Sequence, residues 1–106
     1  MIDKCPPAPH LVRSLAASYG WVDHRLLRQK IVKRLSVEAM ALYLILVCAA
    51  DGNGVSFYGD TLLCSIMGIS SSDLYNARQC LIDNELIFWE RPYYQLLDLS
   101  DFVALP

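Results

Sequence analysis

The chain has 106 residues, 55% hydrophobic and 19% charged, with a formal net charge of −2. That length builds one domain around one core, and the composition excludes a disordered or low-complexity protein. The charge is uneven. Residues 1–34 hold Lys4, Arg13, Arg25, Arg28, Lys30, Lys33 and Arg34 against Asp3 and Asp23, a net of +5, whereas residues 35–106 hold Arg78 and Arg91 against nine acids, a net of −7.

Residues 1–20 read as an arm. Pro6, Pro7 and Pro9 favour extended backbone there. From His10 to Tyr19, Leu11, Val12, Leu15 and Tyr19 share one helical face, and Gly20 is placed to cap it. No basic stretch leads into an apolar one, so no signal peptide is expected. Trp21-Val22-Asp23 reads as a brief extended piece. The spacing of Leu26, Leu27, Ile31 and Val32 predicts a helix from His24 to Arg34, with cations on its other faces.

Ser36 is a suitable N-cap, and Glu38 suits the first turn of the helix it would start. That helix, Val37 to about Ala50, is apolar almost all round and is expected at the centre of the core. Its uncharged run, Ala39 to Ala50, is too short for a bilayer, which needs about 20 residues. Asp51-Gly52-Asn53-Gly54 is the clearest turn, and Val55 to Tyr58 reads as a short strand. A helix over Asp60 to Met67 stops at Gly68. Ser70 caps a further helix to about Asp83, with Asp73 at the capping-box position and Leu74, Ala77, Leu81 and Ile82 facing inward. Leu86 to Glu90 and Tyr93 to Asp98 form a hairpin around Arg91-Pro92. Tyr93 and Tyr94 alternate across their strand, so at most one faces inward.

Helix, strand, helix, tight turn, helix and hairpin in succession define the expected fold class: mainly α with a small β-hairpin, a winged helix-turn-helix. The winged-helix domain would span 21–99, with 100–106 as a C-terminal tail. Cys64 sits four residues before Gly68, where two crossing helices need a small side chain, and Gly68 suits a turn of positive φ. Cys48, Cys64 and Cys80 lie in apolar runs, and none of the four cysteines has a metal-site spacing. The expectation is reduced, buried, unligated thiols in a cytoplasmic protein.

The segment Leu35-Ser36-x-Glu38-Ala39-x-x-Leu42-Tyr43-x-x-Leu46, followed by Asp51-Gly52-x-Gly54-Val55-Ser56 and Leu86-Ile87, resembles the helix-turn-helix domains of plasmid replication initiators and mobile-element proteins. Tyr19-Gly20-Trp21-Val22-Asp23-His24-Arg25 and Ser56-Phe57-Tyr58-Gly59-Asp60 look like a bacterial group of helix-turn-helix proteins carried near transposases. The resemblance covers about Tyr19 to Leu99. It implies a DNA-binding module of a bacterial mobile element or replicon, with base-reading side chains on the 71–83 helix.

Those residues would be Ser71, Ser72, Tyr75, Asn76 and Gln79, whose hydroxyls and amides suit base edges in the major groove. Arg78, the only cation on that helix, and Arg91, the only one at the hairpin tip, are expected to contact the DNA as well. Arg25, Arg28, Lys30, Lys33 and Arg34 would supply the phosphate contacts that dominate affinity for double-stranded DNA. The acidic remainder of the chain supports an alternative, a winged-helix adaptor that docks a protein. A homodimer through the aromatic hairpin or the N-terminal helix is a further possible partnership. No phosphate loop, nucleophile–base pair or paired-carboxylate site is recognisable, so no enzyme, cofactor or metal centre is expected.

Overall fold

The computed structural model describes residues 7–11 and 21–99. The expected helix of the arm from Val12 to its Gly20 cap, the tail 100–106 and Cys5 lie outside the described residues. Within them are four α-helices and a three-stranded antiparallel sheet: α1 Arg25–Arg28, α2 Val37–Ala49, β1 Val55–Phe57, α3 Asp60–Met67, α4 Ser71–Asp83, β2 Ile87–Glu90 and β3 Tyr93–Leu96.

The segment 24–34 is not one helix. α1 stops after one turn, Lys30 takes a left-handed φ of 58°, and Val32–Arg34 forms a 3-10 turn. The reason lies in the core. Leu26 and Ile31 are both buried. In a continuous helix, five residues at 3.6 per turn would set them about 140° apart, on different faces. The reversal at Lys30 brings both to the same interior and leaves Leu27 exposed.

Ser36 caps α2 by accepting a bond from the Ala39 amide at 3.1 Å. α2 packs chiefly on α4 and buries Ala39, Leu42, Tyr43, Leu46 and Val47. It is not buried all round: Val37, Ala41, Leu44 and Cys48 are exposed. The expectation of a buried Cys48 is therefore corrected, since it falls on α2's outer face. Cys64 and Cys80 are half-buried free thiols rather than fully buried ones.

The turn after α2 is held by the Asp51 carboxylate, which accepts from the amides of Asn53 and Val55. β1 then pairs with β3, and β3 with β2, so the sheet order is β1-β3-β2. The expected two-stranded hairpin thus gains a third strand. Its turn is Arg91-Pro92, a cis peptide. One register row, Ser56, Tyr94 and Trp89, faces the core; Phe57, Tyr93 and Glu90, with Val55, Gln95 and Phe88, face away. Tyr94 is fully buried and Tyr93 is 54% exposed, as the alternation requires.

Two left-handed residues end the two helices of the central turn. Gly68 has φ 67°, and its amide donates to the Cys64 carbonyl at 2.8 Å. Nothing lies within 4 Å of a Cβ built there, so the requirement is conformational rather than steric. After α4, Glu85 has φ 59°. Its amide bonds Ile82 and that of Leu86 bonds Leu81, a Schellman arrangement with glutamate where glycine is usual. The helix dipole adds a repulsion to that side chain. In urea denaturation Gly68→Val is expected to destabilise the fold by about 1–2 kcal/mol and Glu85→Gly to stabilise it by about 1 kcal/mol. Equal midpoints for all three proteins would refute both assignments.

Candidate nucleic-acid interface

Ser70 positions the start of α4: its hydroxyl accepts from the Asp73 amide at 3.1 Å and lies 3.2 Å from the Ser72 hydroxyl. With Leu74, Ala77 and Leu81 turned inward, the opposite face presents Ser71, Ser72, Tyr75 and Asn76 to solvent. Gln79 is half-buried, and its amide nitrogen donates to Asp83 at 2.8 Å. Its hydrogen-bonding is thus partly used within the helix.

Arg78 is not on this face. It is 6% exposed, one helical turn from both Leu74 and Leu81, and points into the angle between α3 and the hairpin. One Nη donates to the Asp60 carboxylate at 2.9 Å and to the Tyr94 hydroxyl at 3.0 Å. The guanidinium lies 3.9 Å from the centroid of the Trp89 ring, and that ring stands 6.3 Å from Tyr94. Burial alone would weaken the charge of Arg78, but the bonds to Tyr94 and Asp60 outweigh it and raise its pKa. The expectation of a DNA contact from Arg78 is corrected: this cation is committed inside the fold. The spacing from Leu74 and Leu81 was the available signal. The partners Asp60, Trp89 and Tyr94 lie on three other elements and carry no local mark.

The remaining cations differ in their freedom. Arg28, Lys30, Lys33 and Arg91 are exposed. Arg91 sits at the hairpin tip, 5.8 Å from the Trp89 centroid. Arg25 binds Asp23 at 2.6 Å and Asp98 at 3.4 Å. Its guanidinium holds the Asp23 carboxyl below the usual range. Arg34 is half-buried, and its carbonyl lies 3.8 Å from the Cys80 thiol. The end of the basic segment therefore abuts α4. Cys80 and Arg78 lie on opposite sides of the exposed face of α4, so the segment borders one side and the hairpin the other. The outer face of the sheet, on the hairpin that the sequence offers as an aromatic contact, exposes Phe57, Phe88 and Tyr93, and Phe57 and Tyr93 pair at 5.7 Å.

Among the described residues no helix is long and apolar enough to cross a membrane, and no cluster of three metal-ligating side chains occurs. Comparison with family models, curated proteins and solved structures finds no match to this chain.

Replacing Arg78 with Met is expected to cost about 3 kcal/mol, because it leaves the buried Tyr94 hydroxyl and the Asp60 carboxylate without their cation. Asp60→Asn should cost less, because the Asp60 side chain is 41% exposed. An equal cost in the two variants, measured by urea denaturation, would overturn this ranking.

Burial raises the pKa values of Tyr94 and Tyr43, with the Arg78 bond partly opposing the shift at Tyr94. A raised phenol holds its proton more tightly in the folded state. Its stabilisation is complete below the unfolded pKa of about 10 and is lost as pH rises through the folded value. Stability is expected to fall above about pH 10, and the fall should shrink when both tyrosines are replaced by Phe. An undiminished alkaline loss in that double variant would assign the effect to other groups.

Proposed function

We propose that this chain is a winged-helix DNA-binding module of a bacterial mobile element or replicon, with α4 lying in the major groove. The observation that carries the reading is the setting of α4. Its polar face is open to solvent, bordered by the hairpin on one side and by the end of the basic segment on the other. Asn76 is the best placed to read a base, since Asn can bond adenine through two atoms and this side chain is exposed. Ser71, Ser72 and Tyr75 flank it, and Gln79 joins by releasing Asp83. Arg28, Lys30 and Lys33 from the basic segment and Arg91 from the hairpin tip neutralise phosphates. Arg25 and Arg34 contribute less, being engaged or half-buried.

With Arg78 withdrawn and Asp73 and Asp83 exposed on α4, affinity rests on few cations and is weak, with a salt dependence set by those few phosphate contacts. Titration of duplex DNA by fluorescence anisotropy at two salt concentrations tests this. Arg28→Glu with Lys33→Glu is expected to weaken binding to every duplex and flatten the salt dependence. Asn76→Ala is expected to leave random-duplex binding unchanged and to cost about 1–3 kcal/mol on a selected site. Absence of binding to any duplex at low salt refutes the proposal. A protein-docking adaptor would then be the working reading, favoured by the exposed Phe57, Phe88 and Tyr93 on the outer face of the sheet.

A further inference from the structure

α2 carries an apolar stripe that nothing in the described chain covers. Val37, Ala41, Leu44 and Cys48 follow one another at intervals of four, three and four residues, the spacing of a helix–helix seam. Val37 is 72% exposed and Leu44 57%. Leu44 also lines a groove of about 170 Å³ beside the stripe, with Val22, Val32, Leu35 and Met40 among its walls.

We propose that a second copy of this chain covers the patch, with the two α2 helices antiparallel about a two-fold axis. Three features select this occupant and orientation. The only charged side chain within α2 is Glu38, at the edge of the stripe, so the seam meets itself without like-charge repulsion. The ends of α2 are oppositely charged: exposed Lys33 precedes it and exposed Asp51 follows it. Antiparallel pairing brings Lys33 of each copy level with Asp51 of the other and sets the helix dipoles head to tail, whereas parallel pairing opposes like charges. The register also matches small against large, with Ala41 opposite Leu44 and Val37 opposite Cys48, so the helices approach closely at the centre. The stripe and groove supply an apolar centre, and Lys33, Glu38 and Asp51 a polar rim, the usual anatomy of an interface.

The seam is distinct from the polar face of α4, the two proposed surfaces share Lys33, and the inference stands whether or not the protein binds DNA. Sedimentation equilibrium of the full chain tests it. The wild type is expected to be a dimer at micromolar concentrations. Leu44→Glu, at a solvent-facing position that leaves the core intact, is expected to raise the dissociation constant about a hundredfold or more by burying a charge at the seam, with the thermal transition of the monomer retained. In a second test, Val37→Cys under mild oxidation should yield an intermolecular disulfide that peptide mapping assigns to positions 37 and 48. A wild type monomeric at every concentration overturns the proposal. So does a dimer insensitive to Leu44→Glu, or a wild-type Cys48–Cys48 cross-link, which is the signature of parallel pairing.

Discussion

The guanidinium of Arg78 is the point on which the arrangement of α3, α4 and the hairpin turns. A buried cation is tolerated only when its charge and its donors are answered. Here the answers come from three elements: a carboxylate from the first turn of α3, a hydroxyl from β3 and an aromatic face from β2. Apolar packing fixes how close α4 lies to the sheet, but it is non-directional. The hydrogen bonds and the stacked ring fix the direction. They place the hairpin at one side of α4's exposed face, which makes that face a bordered strip rather than one side of a free helix.

The same commitment shapes the surface. Taking Arg78 inside removes the only cation α4 possesses and leaves Asp73 and Asp83 on it. Arg25 is likewise engaged by Asp23 and Asp98. The net +5 of the first 34 residues therefore overstates the charge offered to a polyanion. Among the described residues the exposed cations are Arg28, Lys30, Lys33 and Arg91.

Features governed by residues close in sequence were legible. The caps at Ser36 and Ser70, the turn at Asp51, the left-handed Gly68 and the alternation of Tyr93 and Tyr94 each follow from a local rule of backbone or side-chain chemistry. Features set by distant partners were not. Lys30 and Glu85 take left-handed conformations without the Gly or Asn that usually marks them. The first reverses the chain so that Ile31 reaches the core; the second turns the chain into β2. Cys48 sits in an unbroken apolar run, and only the position of α4 and the sheet decides which side of α2 is buried. The exposed polar face of α4 was legible because its residues are all that remain once Leu74, Ala77 and Leu81 turn inward. Arg78 was misassigned by its charge when its spacing placed it with them.

The order of the strands has a consequence for how the chain is made. β3 is the middle strand of the sheet, yet it is the last element of the described chain. β1 meets it across 40 positions of sequence, Val55 opposite Gln95. During synthesis β1 has no neighbour until almost the whole domain has left the ribosome. A chain released before Tyr93 keeps both outer strands and loses the one that joins them, so an early stop at this end removes the sheet entirely rather than trimming it.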